Sequence, residues 1–125
     1  MATEGRLPLY NKVRQIFDQF EMSTRKNPVN IKRGIVAVVE NQLIEALVLL
    51  SYAEEVTGDD CAEDRMDLID NIGKILKEVR IRIRIMHDLK FMKDTGFAAP
   101  GKLQNNANDQ LAGWRNKTEK IIEKR

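Results

Sequence analysis

The chain reads as an all-α protein, an up-down-up-down four-helix bundle forming a single domain over residues 1–125. Two observations carry this reading: apolar residues recur at spacings of three and four in four separate stretches, and short segments rich in Gly, Pro, Asn and Asp divide those stretches. Composition agrees, because a chain that is 42% hydrophobic and 32% charged but only 6% aromatic suits helices better than a β-sandwich. At 125 residues it is long enough to bury one core of modest size.

The first helix is expected over about residues 8–22. Pro8 has the fixed φ suited to a first turn, and Leu9, Val13, Ile16, Phe17 and Phe20 form one amphipathic stripe. Residues 1–7 are expected to fray. The polar connection Ser23-Thr24-Arg25-Lys26-Asn27-Pro28 follows, with Asn27 and Asn30 as rival caps for the next helix. That second helix is expected over about 29–56. It carries Ile31, Ile35, Val38, Val39, Leu43, Ala46, Leu47, Leu49, Leu50 and Ala53 on more than one face and ends at the Thr57-Gly58 turn. Asn41, Gln42 and Glu45 interrupt it, either as a polar network or as its solvent edge.

The third helix, expected over about 60–94, contains a contest between two periodicities. Val79-Arg80-Ile81-Arg82-Ile83-Arg84-Ile85 alternates apolar and charged residues as a half-buried strand would. Its flanks decide the matter, since Leu68, Ile69, Ile72, Ile75, Leu76, Val79, Ile83 and Met86 recur at helical spacing and no proline interrupts. At about 100° per residue these side chains share one wide arc. Ile81, Ile85, Leu89 and Met92 fall on nearly the opposite side, which makes them a candidate subunit interface, because a helix apolar on two faces must bury both. Between the two stripes lie Lys77, Arg80 and Arg84, with Lys74 nearby. Acidic residues Asp60, Glu63 and Asp64 suit the start of this helix. Asp94 through Gly101 is expected to break the chain with glycine and proline. A fourth helix then spans about 102–120 and buries Leu103, Ala107, Leu111 and Trp114, with Ile121 as a further candidate, before a mobile charged tail.

Known chemistry is hard to find. A carboxylate-bridged metal pair in a bundle needs Glu-x-x-His motifs, but His87 is the single histidine and Arg84 stands three residues before it. Cys61 sits among acidic residues with only Arg65 near, poor surroundings for a nucleophile. The segment Gly58-Asp59-Asp60-Cys61-Ala62-Glu63-Asp64 lacks the ligand alternation of a calcium loop. No phosphate loop, nucleophile elbow or zinc spacing occurs. The expectation is therefore a protein that is not an enzyme and needs no cofactor or metal. One cysteine and no leader-like or membrane-spanning apolar run point to the cytoplasm. His87 reads as an ordinary, partly exposed helix residue. Trp114 reads as a core anchor rather than a base-stacking platform, and Gly34 and Gly73 as places of close helix approach or mere tolerance.

The charge pattern carries the functional expectation. Net charge is only +2, yet Lys74, Lys77, Arg80, Arg82, Arg84, Lys90 and Lys93 face only Glu78 and Asp88 as local counter-charges. Repeated around an oligomer, this ridge would create a strong positive field. Lys74, Lys77, Arg80 and Arg84 are thus the candidate contacts to nucleic-acid phosphates or to a nucleic-acid polymerase, with Arg82 and Lys90 as weaker ones.

Tyr10 to Phe20, Pro28 to Ala53 with Ile31-Lys32-Arg33-Gly34-Ile35, the basic run Ile69 to Phe91, and Leu111-Ala112-Gly113-Trp114-Arg115 together resemble the family of four-helix-bundle or ribosomal-RNA intervening-sequence proteins. Within it they are most similar to the Avd group, the accessory variability determinants of diversity-generating retroelements. The resemblance spans nearly the whole chain. It implies a homopentameric barrel of bundles that binds a reverse transcriptase and structured template RNA, with DNA as the other candidate nucleic acid, in support of mutagenic cDNA synthesis. The alternative is a structural or adaptor oligomer of the same family that binds no nucleic acid.

Overall fold

A computed structural model describes residues 8–124, apart from the side chains of Thr95 and Ala99. Four helices account for most of them: α1, Pro8–Thr24; α2, Val29–Ala53; α3, Ala62–Asp88; and α4, Asp94–Glu123. No strand occurs among the described residues, so the local alternation at 79–85 loses to the longer helical pattern. Each helix packs on two neighbours in the ring order α1, α2, α3, α4 and back to α1. Neighbours run antiparallel: Ser23 at the end of α1 meets Gly96 at the start of α4, and Asp70 early in α3 meets Arg115 late in α4. The arrangement is that of a four-helix bundle.

The core is the meeting of the expected stripes. Leu9, Val13, Ile16 and Phe20 of α1 pack with Val39, Leu43 and Leu50 of α2, with Ile69, Ile72, Val79 and Ile83 of α3, and with Ala107 and Leu111 of α4. Leu103 and Trp114 lie half-buried against this cluster. Gly73 does mark a close approach, since a Cβ there would stand 3.3 Å from Leu111 Cδ2. Gly34 does not, because a Cβ there meets nothing within 4 Å. It instead leaves helical geometry (φ −93°, ψ −113°) inside a π-type segment, Lys32–Val36, that kinks α2.

Several boundaries differ from the reading of the sequence. α1 extends through Ser23 and Thr24, whose hydroxyls lie 2.8 Å from the carbonyl oxygens of Gln19 and Phe20. Pro28 occupies the cap position of α2 without a side-chain hydrogen bond, so neither Asn27 nor Asn30 is the cap. α2 stops at Ala53 and the following turn is fixed by buried Arg65, which donates to the carbonyls of Val56 at 2.7 Å and Gly58 at 3.1 Å. α3 ends at Asp88 rather than 94. There Lys90 adopts the left-handed conformation (φ 65°), the Lys90 N–H donates to His87 O at 3.0 Å, and the Phe91 N–H donates to Met86 O at 2.8 Å. This is the Schellman pattern, built with lysine where glycine is usual.

The expected break at Asp94 to Gly101 is helix instead, with Pro100 inside α4. A proline six residues into a helix leaves the carbonyl four residues back without its N–H partner. That carbonyl belongs to Gly96, and the Ser23 hydroxyl lies 3.2 Å from its oxygen, sharing its single proton between Gly96 and Gln19. Gly96 permits the approach, since a Cβ there would come within 3.0 Å of Ser23 Oγ. Helix α4 continues to Glu123, which leaves little of the expected mobile tail. The expected fraying of residues 1–7 lies outside the described residues.

Val29–Ala53 is long and apolar enough to cross a membrane by length and composition, with mean hydropathy 1.6 in its most apolar window. This amends the expectation that no such run exists. Core helices pass the same test, and α2 contributes Val39, Leu43, Ala46, Leu50 and Ala53 to the bundle interior.

Candidate nucleic-acid and partner interface

The outward side of α3 carries two adjacent strips. Ile72, Val79, Ile83 and Met86 turn inward and are buried, so the 100° step places Lys77, Arg80 and Arg84 along the flank toward α4 and Lys74 at the middle of the outer side, in line with Ile81 and Ile85. All four are exposed, and none forms an ion pair among the described residues. From Lys74 to Arg84 the ridge runs about 15 Å along the helix at 1.5 Å per residue. Beside it Ile81 is 51% exposed, Ile85 43% and Leu89 57%.

The ridge keeps most of its charge because Glu78 and Asp70 are engaged elsewhere, which leaves exposed Asp88, one turn beyond Arg84, as the acid beside it on α3. Glu78 Oε1 accepts from Gln42 Nε2 at 2.8 Å and pairs with Arg82 Nη1 at 3.5 Å, while Arg82 Nη1 donates to Gln42 Oε1 at 2.9 Å. Gln42 is therefore part of a network clasping α2 to α3, while Asn41 and Glu45 are solvent-exposed. Asp70 Oδ1 accepts from Arg115 Nε at 2.9 Å, and that bond, with a second to Glu119, holds the Arg115 guanidinium in its charged form, its pKa raised. Stepping back along α4 from Arg115 at helical spacing gives Ala112, Asn108, Asn105 and Gly101, which bring no charge to the flank of the ridge.

Two expected contacts leave the ridge. Arg82 is committed to Gln42 and Glu78. Lys90 stands beyond the end of α3 on a left-handed residue. Met92 leaves the proposed subunit interface, since it is only 4% exposed and joins its own chain's core. Its phase was extrapolated along a helix that ends four residues earlier.

His87 faces the loop: its Nε2 lies 2.6 Å from Asp94 Oδ1 and its ring stacks on Phe97 with centroids 4.3 Å apart. It bridges the ends of α3 and α4 rather than sitting in the ridge. Cys61 occupies the cap position of α3 and is partly buried. Among the described residues no three His, Cys, Asp or Glu side chains converge closely enough to hold a metal ion.

The sequence also left unread the outer face of α2, where Val38, Ile44, Val48 and Tyr52 are exposed. The signal was present in the apolar run covering more than one face of that helix. Because Gln42 meets Glu78 and Arg82, Val38 lies at the level of Ile81 and Ile85, and the two apolar surfaces flank the same seam. The chain matches no protein-family model and no curated protein.

Proposed function

We propose that the protein is a non-enzymatic accessory factor of a diversity-generating retroelement, of the Avd type. It would assemble as a homo-oligomer, pentameric by the resemblance, and bind structured template RNA and the reverse transcriptase through Lys74, Lys77, Arg80 and Arg84. The observation that carries this reading is the set of four exposed cations without ion pairs, next to apolar residues that a monomer leaves in water. Assembly through the apolar surfaces of α2 and α3 would repeat the ridge around a symmetry axis and multiply its field. Binding of this kind releases counterions and weakens steeply with salt.

The test is the double variant Arg80→Glu, Arg84→Glu. RNA mobility shift and polymerase pull-down are expected to disappear while the helical circular-dichroism signal and melting curve stay in place. Undiminished association at moderate salt would refute the nucleic-acid reading. A second reading, a structural or adaptor oligomer with the ridge only aiding solubility, draws on the exposed Val38, Ile44, Val48 and Tyr52, which extend well away from the cations. A neighbouring reverse-transcriptase gene with paired template and variable repeats would favour the first reading.

A further inference from the structure

A cavity of about 630 Å³ lies at the end of the bundle where α1 stops and the α3–α4 loop turns. Its wall carries Arg25 and Lys26 from the end of α1 and Lys90 and Lys93 from the loop, with Met22 and Phe91 as apolar lining and no carboxylate. Arg25 is held by Glu21 at 2.7 Å, whereas Lys26, Lys90 and Lys93 form no ion pair among the described residues.

Basic residues at helix C-termini favourably oppose the helix dipole, which accounts for cations at the ends of α1 and α3. It does not account for their convergence on one cavity, nor for Lys93 at the start of α4, the positive end of that helix's dipole. Lys90 holds the left-handed position of the turn that ends α3, where glycine would be relaxed. Asn27 lines the same wall, and its Nδ2, closed off from water, meets no acceptor among the described residues.

We propose that this cavity binds a nucleoside polyphosphate. The cations match a chain of phosphates in charge, and the exposed Met22 with the half-buried Phe91 ring offers a base an apolar seat. The volume lies within the ordinary range of small-ligand pockets. This site is separate from the α3 ridge and independent of the retroelement reading.

Isothermal titration of the full chain with ATP, adenosine and tripolyphosphate tests it. ATP is expected to bind saturably, tripolyphosphate more weakly and adenosine not at all. Lys90→Gly together with Lys93→Gln should weaken ATP by about tenfold or more. Glycine suits the backbone at 90, and an unchanged circular-dichroism melt of the double variant separates lost binding from unfolding. Arg80→Glu with Arg84→Glu should leave ATP affinity unchanged even though it removes the ridge. The proposal is overturned by absence of saturable binding at millimolar ATP, by equal affinity for ATP and tripolyphosphate, by indifference to the Lys90 and Lys93 changes, or by loss of ATP binding in the ridge variant.

Discussion

The two halves of the bundle meet solvent differently. On α1 and α4 the one large apolar side chain exposed among the described residues is Met22, and it lines a cavity. On α2 and α3, with the residue that ends α3, Val29, Val38, Ile44, Val48, Tyr52, Ile81, Ile85 and Leu89 are all exposed. Single apolar residues scattered over a surface are ordinary, while a contiguous apolar patch is the kind of surface on which the proposed assembly draws. The same core serves both halves, so the asymmetry belongs to the outer faces. It teaches that α1 and α4 turn mostly polar faces outward, whereas α2 and α3 leave apolar side chains in water.

Truncation inside and outside the bundle should separate core from cover most sharply. Phe20→Ala empties a fully buried site and is expected to lower stability by about 3–5 kcal/mol. Ile85→Ala, at an exposed position, should change the stability of the single chain by no more than about 0.5 kcal/mol. Similar losses in chemical denaturation would erase the distinction. Next in size is Gly96→Ala, which drives a methyl group toward Ser23 where α1 and α4 touch. Overpacking there should cost about 1–3 kcal/mol, and an unchanged melting temperature would mean the α1–α4 contact is looser than drawn. Lys90→Gly acts in the opposite direction, relieving a left-handed residue and stabilising by up to about 1 kcal/mol.

The smallest effect lies where the halves join. Glu40 of α2 has its pKa raised, first by burial and then by the like charge of Glu21, against a lowering by Lys32. A carboxyl whose folded pKa exceeds its unfolded value favours the fold most when protonated. That contribution is complete below the unfolded pKa and fades as pH rises through the folded one. Glu40→Gln should therefore be slightly more stable than the wild type at pH 7, with the gap closing as pH falls below the usual glutamate range. A gap that widened in acid would reverse the sign.

Much of the fold was legible because buried stripes obey one local rule. Leu9 to Phe20 and Ile69 to Met86 fall on their helices as the 3.6-residue period requires, even where Val79 to Ile85 imitates a strand. What escaped depends on partners distant in sequence or on backbone states without a residue signature. Pro100 reads as a stop, yet Ser23, 73 residues away from Gly96 in sequence, supplies the hydroxyl that the interrupted turn lacks. The end of α3 carries no glycine, so Lys90 hid the turn and Met92 was projected to the wrong face. Within the candidate site, the exposure of Lys74, Lys77, Arg80 and Arg84 followed from phase alone. The loss of Arg82 to Gln42 depended on how α2 sits against α3. The cavity at Arg25, Lys26, Lys90 and Lys93 joins two loops, and no spacing along the chain announces it.

Sedimentation equilibrium of the wild type beside Ile81→Asp, Ile85→Asp tests most directly whether the α2–α3 surface is an interface between copies. The expected wild-type mass is a multiple of the 14.4 kDa chain, fivefold on the pentameric reading, and the double variant should be a folded monomer. A wild type that stays at 14.4 kDa at micromolar concentrations and above, with Ile81 and Ile85 open to water, would contradict it.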